Sequence, residues 1–322
     1  MTTRTRYRAF GRVLESELRL GELHEIPLDA RAPEWRLLLA DGSPPEVPGA
    51  TLIGTEDIAY GATVSLLLLR PGEYRLVYSD TGTFDLSAST GEIRWWRSPT
   101  CDDDLAAMDI LGRVLATMLH AEGAVTLHAS AVAVDGAAIG FMAPKFHGKS
   151  TLAAAMTYVG AHLVSDDALA ILPGAPVRCV PGVPSVRLRE ESAAHFPRTK
   201  GVQAPDLPRW RVIDMLPGDQ VALQPMPLAA LYVLSSRPAD EVTEPVRRVP
   251  MGAIDAIVAL SRFAKMGALL GDREGQHHVA RVVDVVSTVP VYTLEIVRDL
   301  QQLEQVSATI ASWHRGASAT GA

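Results

Sequence analysis

A lysine, a hydroxyl group and two carboxylates occur close together near the middle of this 322-residue chain. Lys149 and Ser150 follow a glycine, and Asp166 and Asp167 come shortly after them. An ammonium group neutralises phosphate oxygens, whereas a serine hydroxyl and carboxylates are oxygen ligands that Mg²⁺ accepts. Together, these groups suit a site that holds a magnesium nucleotide and moves its terminal phosphate.

The residues around Lys149 match the second half of the phosphate-binding pattern G-x-x-x-x-G-K-[ST]. They read APKFHGKST, at 143–151. In this pattern Gly148 lets the backbone approach the phosphates, and the lysine reaches the β- and γ-phosphates. Ser150 would bind Mg²⁺, and Thr151 would lie in the first turn of a helix whose N-terminal amides point at the anion.

The first half of the loop departs from the pattern. Ala143 replaces the opening glycine, and Phe146 stands where related loops often carry glycine. Because a β-carbon makes positive φ costly, we expect the loop either to bend differently or to be strained. Lys145 and His147 either add positive charge near the phosphates or are simply exposed loop residues, and the sequence leaves both interpretations open.

The flanking segments predict the elements that would hold this loop. VTLHASAVAV and AAIGFMA, at 125–134 and 137–143, predict two buried strands joined by an Asp-Gly hairpin turn. STLAAAMTYVG, at 150–160, predicts the helix after the loop. His128 lies on the first of these strands, where a structural role and a catalytic role are both open.

The acidic pair falls within HLVSDDALAIL, which predicts a second apolar strand with Asp166 and Asp167 at mid-run, beside the phosphate loop. Adjacent carboxylates repel each other unless a cation or a proton lies nearby, although such pairs are also common in caps and turns. One carboxylate would hold Mg²⁺ through water, and the other would accept the proton of an attacking hydroxyl. Spacing alone does not say which residue has which role.

The whole chain predicts a mixed α/β protein. Residues 1–100 contain short runs of strand-forming residues that end in Gly or Pro, as in successive hairpins. Residues 102–123 predict a helix with acidic residues at its start. We therefore predict a β-rich N-terminal domain, 1–100, and a nucleotide-binding and catalytic domain, 101–322. The later elements predicted are a strand at 227–236, helices at 252–270 and 277–288, a strand at 289–297 and a closing helix after 300.

Composition argues against several classes of protein. The net charge of -7 disfavours a nucleic-acid binder, which usually has a basic face. The two cysteines, Cys101 and Cys179, are too few and too far apart for a disulfide framework or a zinc site. No apolar stretch reaches the roughly 18 residues of a membrane-spanning helix. We expect a soluble, cytoplasmic protein with no nucleic-acid or membrane partner.

The stretch LHASAVAVDGAAIGFMAPKFHGKSTLAAAMTYVGAHLVSDDALAIL resembles the catalytic core of HPr kinase/phosphorylase. A closer resemblance is to the HPr-kinase-like serine kinases of ribosomal-peptide pathways, including those that phosphorylate lasso-peptide precursors. That resemblance includes PGVPSVRL at 181–188 and VPVYTL at 289–294. It implies a β-rich N-terminal part followed by the P-loop core that HPr kinases share with phosphoenolpyruvate carboxykinases.

The resemblance also implies ATP and Mg²⁺ as cofactors and a serine of a peptide or protein as acceptor. By this likeness Asp166 is the general base, Asp167 lies near the metal, and His128 assists. Arg187 is either a phosphate contact or a surface arginine. The chain lacks the arginine-glycine signature of true HPr kinases, which argues against HPr itself as the acceptor and against the reverse reaction. Members of the family often form hexamers, so the likeness allows a homo-oligomer.

Two further hypotheses remain beside the kinase. The chain could be a nucleotide-binding partner without turnover in a peptide-modifying pathway, which the loss of loop glycines favours. The retention of Lys149, Ser150 and both aspartates disfavours it. A hydrolase that uses Ser130 or Ser150 with a histidine ranks lowest, because neither serine lies in a G-x-S-x-G motif.

Overall fold

The computed structural model describes residues 4–29, 31–58, 61–196, 202–203, 212–237 and 244–316. They form a mixed α/β structure, as predicted. The strands are β1 (Thr5–Ala9), β2 (Arg12–Ser16), β3 (Glu25–Ile26), β4 (Trp35–Leu39), β5 (Thr51–Asp57), β6 (Thr63–Arg70), β7 (Glu73–Tyr78), β8 (Gly82–Ser87), β9 (Glu92–Arg97), β10 (Val125–Leu127), β11 (Ala129–Val134), β12 (Ala137–Met142), β13 (His162–Ser165), β14 (Leu169–Leu172), β15 (Arg178–Val180), β16 (Ser185–Leu188), β17 (Val202–Gln203), β18 (Val212–Met215), β19 (Met226–Arg237), β20 (Val246–Pro250) and β21 (Val291–Val297). The helices are α1 (Asp103–Asp109), α2 (Leu115–Ala121), α3 (Lys149–Tyr158), α4 (Glu190–His195), α5 (Ala253–Arg262), α6 (Asp272–Val286) and α7 (Leu303–Ser312).

The chain divides into two compact units. Unit 1 comprises Met1–Thr126 and Ala264–Arg281, and unit 2 comprises Leu127–Phe263 and Val282–Ala322. The sequence placed a domain boundary at residue 100, whereas the helices after that residue group with the β-rich part. The physical reason is packing, because α2 is buried along most of its length and contacts β7 and β8.

Unit 1 is built on a single sheet in its described residues, with the strand order β3-β1-β2-β4-β9-β8-β7-β6-β5. Successive antiparallel hairpins link β5 to β9, which confirms the predicted hairpin pattern there. The buried rings of Phe84 and Trp95 stack with their centroids 5.5 Å apart. Apolar residues that alternate along these strands therefore form a core on one face of the sheet.

The predicted helix at 102–123 consists of α1, a π-helical segment at Ile110–Val114, and α2. Its acidic start is a cap, because the Asp102 side chain accepts hydrogen bonds from the backbone amides of Asp104 and Leu105. Among the described residues, no group of three or more His, Cys, Asp or Glu side chains is placed to hold a metal ion. No helix in the described ranges combines the length and apolarity needed to cross a membrane.

The buried carboxyl group of Asp109, at the end of α1, should make the stability of the protein depend on pH. Burial raises the pKa of its carboxyl group to about 6, against a smaller opposing effect of the hydrogen bond from Thr81 Oγ1. The folded state therefore binds this proton more tightly than the unfolded chain does. The resulting stability is fully present below the ordinary pKa of 3.8 and is lost as the pH rises through about 6.

When the pH is raised from about 4 to about 8, we expect the free energy of unfolding of Asp109→Asn to rise by about 2 kcal/mol relative to that of the wild type. The reason is that the variant carries no buried charge at this position. Urea unfolding at the two pH values measures this gain. Asp103→Asn, an exposed change on the same helix, is the control. Equal pH dependence of the two variants would contradict the prediction.

Unit 2 has a mixed sheet with the strand order β14-β15-β19-β12-β11-β13, and β21 and β20 continue from β19. β12, β19 and β21 are parallel, whereas β11 is antiparallel to both of its neighbours, β12 and β13. The carboxyl ends of β12, β13, β19 and β21 therefore share one edge with the amino end of β11. In α/β sheets, the carboxyl edge is where ligands bind.

Several local predictions in unit 2 are confirmed. The Asp135-Gly136 turn joins β11 to β12, with Val134 opposite Ala137 and positive φ angles of 46° and 79° at the two turn residues. The predicted helix after the loop is α3, which packs against α7 and β11. The core between the helices and the sheet includes Leu152, Phe141 and Tyr232. This packing fixes the start of α3 at the carboxyl edge.

Candidate functional site

The phosphate-type loop lies between β12 and α3, at residues 143–148. Gly148 has φ of 89° and is the residue that precedes the helix. Its carbonyl oxygen accepts the amide of Leu152 at 2.8 Å, which begins the helical hydrogen bonds. The first amides of α3 have no partner within the helix, so they form a positive end at the loop.

Phe146 shows how the loop bends without a glycine at position 146. Its φ is 70°, in the left-handed region that a β-carbon disfavours, so the loop is strained. Such a residue costs roughly 1–3 kcal/mol and persists only where its surroundings hold it. The guanidinium of Arg189 lies 4.7 Å from the centroid of the Phe146 ring, and Arg298 Nη2 donates to the Phe146 carbonyl oxygen at 3.1 Å.

Lys149 directs its ammonium group back across the loop. The residue is buried, with 7% of its surface exposed, and its Nζ donates to the carbonyl oxygens of Ala143 at 3.0 Å and Pro144 at 3.5 Å. The same Nζ is 3.2 Å from His128 Nε2. Because an ammonium group only donates, this ring nitrogen is the acceptor.

Asp166 accepts hydrogen bonds at both of its carboxylate oxygens. It is 4% exposed, and its Oδ1 accepts Ser150 Oγ at 2.9 Å and Ser130 Oγ at 2.5 Å. Its Oδ2 accepts the backbone amide of Arg187 at 3.0 Å. Three donors from three elements therefore fix both oxygens of this carboxylate beside the first turn of α3.

Asp167 has different surroundings. Its Oδ1 lies 3.1 Å from His128 Nδ1, and its own carbonyl oxygen lies at the same distance from that nitrogen. Both neighbours are acceptors, so we assign the ring proton to Nδ1. Its side chain is 29% exposed, so it is more accessible than that of Asp166. Asp167, His128 and Lys149 thus form a continuous polar chain.

The prediction that the acidic pair lies in the middle of one strand is wrong. The pair forms the turn between β13 and β14. Asp167 has a φ of 67°, which interrupts the extended backbone between the two strands, and aspartate tolerates this conformation better than most residues do. Nor is β13 the strand next to the loop, because β11 lies between β13 and β12. This insertion explains why His128 and Ser130, at the amino end of β11, join the cluster.

The other predicted residues occupy varied positions. Thr151 Oγ1 donates to Ser192 Oγ of α4 at 3.2 Å, and His147 Nδ1 lies 2.9 Å from the carbonyl oxygen of Lys145. Lys145 and His147 are both exposed on the loop. Arg187 reaches the cluster through its backbone amide.

Sequence reasoning missed three residues of the site. It did not predict that Ser130 binds the acidic pair, or that Arg189 and Arg298 lie at the loop. Ser130 could have been found, because it is two residues beyond His128 and residues at that spacing share one face of a strand. The two arginines carry no such local signal. Arg298 follows β21, which is far from the loop in the sequence.

The donor set fits Mg²⁺ with a nucleotide. Ser150 Oγ and Asp166 Oδ1 are hard oxygens that already lie 2.9 Å apart. Mg²⁺ in such sites usually has one or two protein oxygens and takes its remaining ligands from water and substrate phosphates. Lys149 and the start of α3 supply the positive charge that phosphate oxygens require.

No protein-family model matches the chain, and no curated protein matches it. Among solved structures, the chain is similar to the Hpr(Ser) kinase/phosphatase from Coxiella burnetii. The match covers 59% of this chain and 95% of that chain, with 14% identity and a TM-score of 0.32. A likeness this distant carries no conclusion about activity, so function rests on the geometry of the site.

Proposed function

We propose that this chain is a Mg²⁺-dependent kinase that transfers the γ-phosphate of ATP to a hydroxyl group, a serine, of a peptide or protein. One observation supports the proposal above all others. The Lys149 ammonium, the Ser150 hydroxyl and both carboxylates of the acidic turn lie in two hydrogen-bonded groups at the start of α3: Lys149 joins Asp167 through His128, and Ser150 donates to Asp166. Phosphoryl transfer needs positioning and positive charge more than covalent chemistry, and these two groups offer both.

Nucleotide binding in this proposal rests on the loop and the first turn of α3. Lys149 would exchange its contacts with the loop carbonyls for phosphate oxygens, and the amides at the start of α3 would donate to them. Ser150 and Asp166 would hold Mg²⁺, which when bound neutralises charge on the phosphates. Ser130 and the Arg187 amide keep Asp166 oriented, as outer partners of metal-binding carboxylates do.

The geometry favours a division of roles that differs from the one implied by the family resemblance. That likeness gives the base as Asp166 and places Asp167 near the metal. Both oxygens of Asp166 already accept hydrogen bonds, three in all, so they are less available to the proton of an attacking hydroxyl. Asp167 is more accessible and is paired with His128, so we assign it the proton of the attacking hydroxyl.

The acceptor class is proposed from the resemblance together with the surroundings of the site. Lys145, Arg189 and Arg298 are exposed near the loop, in a chain whose net charge is -7. This local positive charge suits an acceptor peptide that carries acidic residues. A ribosomally made precursor peptide with a serine fits this description.

Mass spectrometry of candidate peptides tests the function. Serine-containing peptides encoded beside the gene would be incubated with MgATP and either the wild type or Asp167→Asn. We expect one added phosphate on a serine with the wild type alone. Binding of ATP without transfer to any peptide would favour a nucleotide-binding partner, and absence of ATP binding would refute the site itself.

Ser150→Ala tests the proposed metal ligand. We expect its affinity for ATP in Mg²⁺ to fall at least about tenfold, with little change in EDTA, because only the metal-dependent part of binding is lost. Calorimetric titration with and without Mg²⁺ measures this split. Thr157→Ala, near the other end of α3, is the matched control. An equal loss in Mg²⁺ and in EDTA would contradict the assignment.

A further inference from the structure

Two arginines from separate parts of unit 2 converge on the strained residue of the loop. Arg189 lies between β16 and α4, and its guanidinium covers the Phe146 ring at 4.7 Å. Arg298 directly follows β21, and its Nη2 donates to the Phe146 carbonyl oxygen at 3.1 Å. One arginine therefore holds the side chain of Phe146 and the other holds its backbone.

These contacts fall at the position where the loop needs a conformation that glycine adopts freely. Phe146 has φ of 70°, so a loop without external support would relax toward negative φ and move its neighbouring amides. A guanidinium over a ring restrains the side chain, and a charged hydrogen bond to the carbonyl oxygen restrains the peptide plane. Both arginines are anchored outside the loop, so they can oppose this relaxation.

We propose that Arg189 and Arg298 are positioning residues that clamp Phe146 and hold the loop in its phosphate-accepting conformation. The clamp takes over the conformational role that glycine has at this position in related loops. The inference deepens the proposed function and rests on it, because it assumes that this loop receives the triphosphate. It also predicts that the two arginines affect the binding of MgATP only while residue 146 carries a side chain.

Hydrogen exchange of the protein without nucleotide tests the clamp by itself. We expect Arg189→Ala and Arg298→Ala to speed amide exchange in peptides that cover 143–148 and to leave other segments unchanged. Arg247→Ala is the matched control, since that exposed arginine of β20 pairs with Glu295 at 2.7 Å. Unchanged exchange in the loop of both arginine variants would overturn the inference, whether or not the chain binds ATP.

A double-mutant cycle separates the clamp from direct phosphate contact. We expect each arginine variant to raise the dissociation constant for MgATP about fivefold in the wild-type loop. In a Phe146→Gly background, the same changes should alter it less than about twofold, because no strained residue remains to be held. Equal losses in both backgrounds would show that the arginines contact phosphate directly and would overturn the clamp.

The two measurements also distinguish failure of the clamp from failure of the proposed function. A wild type that does not bind MgATP would refute the nucleotide site, whereas the exchange data would still decide the clamp. If Phe146→Gly does not fold, exchange in the wild-type background still decides the role of the arginines.

Discussion

Lys149→Ala is expected to abolish the stabilisation that MgATP gives to the wild-type protein. A ligand at 100 times its dissociation constant stabilises a protein by about 2.7 kcal/mol, and this gain disappears when binding is lost. The Lys149 ammonium is buried within the loop, 3.0 Å from one loop carbonyl oxygen and 3.2 Å from His128 Nε2. No other lysine among the described residues is held in this loop and buried.

Thermal unfolding with and without MgATP measures this effect. The variant without nucleotide must be compared first, because removal of a buried ammonium leaves two loop carbonyl oxygens with fewer partners. Arg247→Ala is the control, since that exposed arginine of β20 pairs with Glu295. If MgATP stabilises Lys149→Ala as much as the wild type, the nucleotide does not bind at this loop.

The second large effect is expected from the acidic turn. Asp167→Asn should lower phosphate transfer about 10²- to 10⁴-fold and leave MgATP binding intact, because general-base catalysis contributes on that scale. Asp166→Asn should instead weaken Mg²⁺-dependent binding of ATP. The two substitutions remove the same charge from adjacent residues, so each serves as the control for the other.

Titration with MgATP and a transfer assay, applied to both variants, decide the assignment. If Asp166→Asn binds normally and loses transfer, whereas Asp167→Asn loses Mg²⁺-dependent binding, the division implied by the family resemblance is the better one. If both variants transfer phosphate at the wild-type rate, neither aspartate acts in catalysis.

The parts of the site that the sequence predicted are those that depend on neighbours along the chain. The Asp135-Gly136 hairpin is specified by turn chemistry, and α3 is specified by a glycine followed by a helix-forming run. The strain at Phe146 was predictable as one of two outcomes. A residue with a β-carbon at a position that needs positive φ must either change the path of the loop or be strained.

The parts that could not be predicted depend on the order of strands in the sheet. Periodicity predicts a strand at 162–172 but cannot show that β11 separates β13 from the loop. The same limit hid the turn at Asp166 and Asp167, since an apolar run with two central aspartates fits one strand as well as two. Arg298 lies at the loop because β21 pairs in parallel with β19. This long-range pairing has no local pattern in the sequence.

A crystal structure with Mg²⁺ and a non-hydrolysable ATP analogue tests the central claim most directly. We predict that its β- and γ-phosphates lie at the Lys149 ammonium and the first amides of α3, and that Mg²⁺ contacts Ser150 Oγ on the Asp166 side. The Asp167 carboxylate should face the γ-phosphate. An analogue bound elsewhere, with Lys149 still held by the loop carbonyls, would contradict the account.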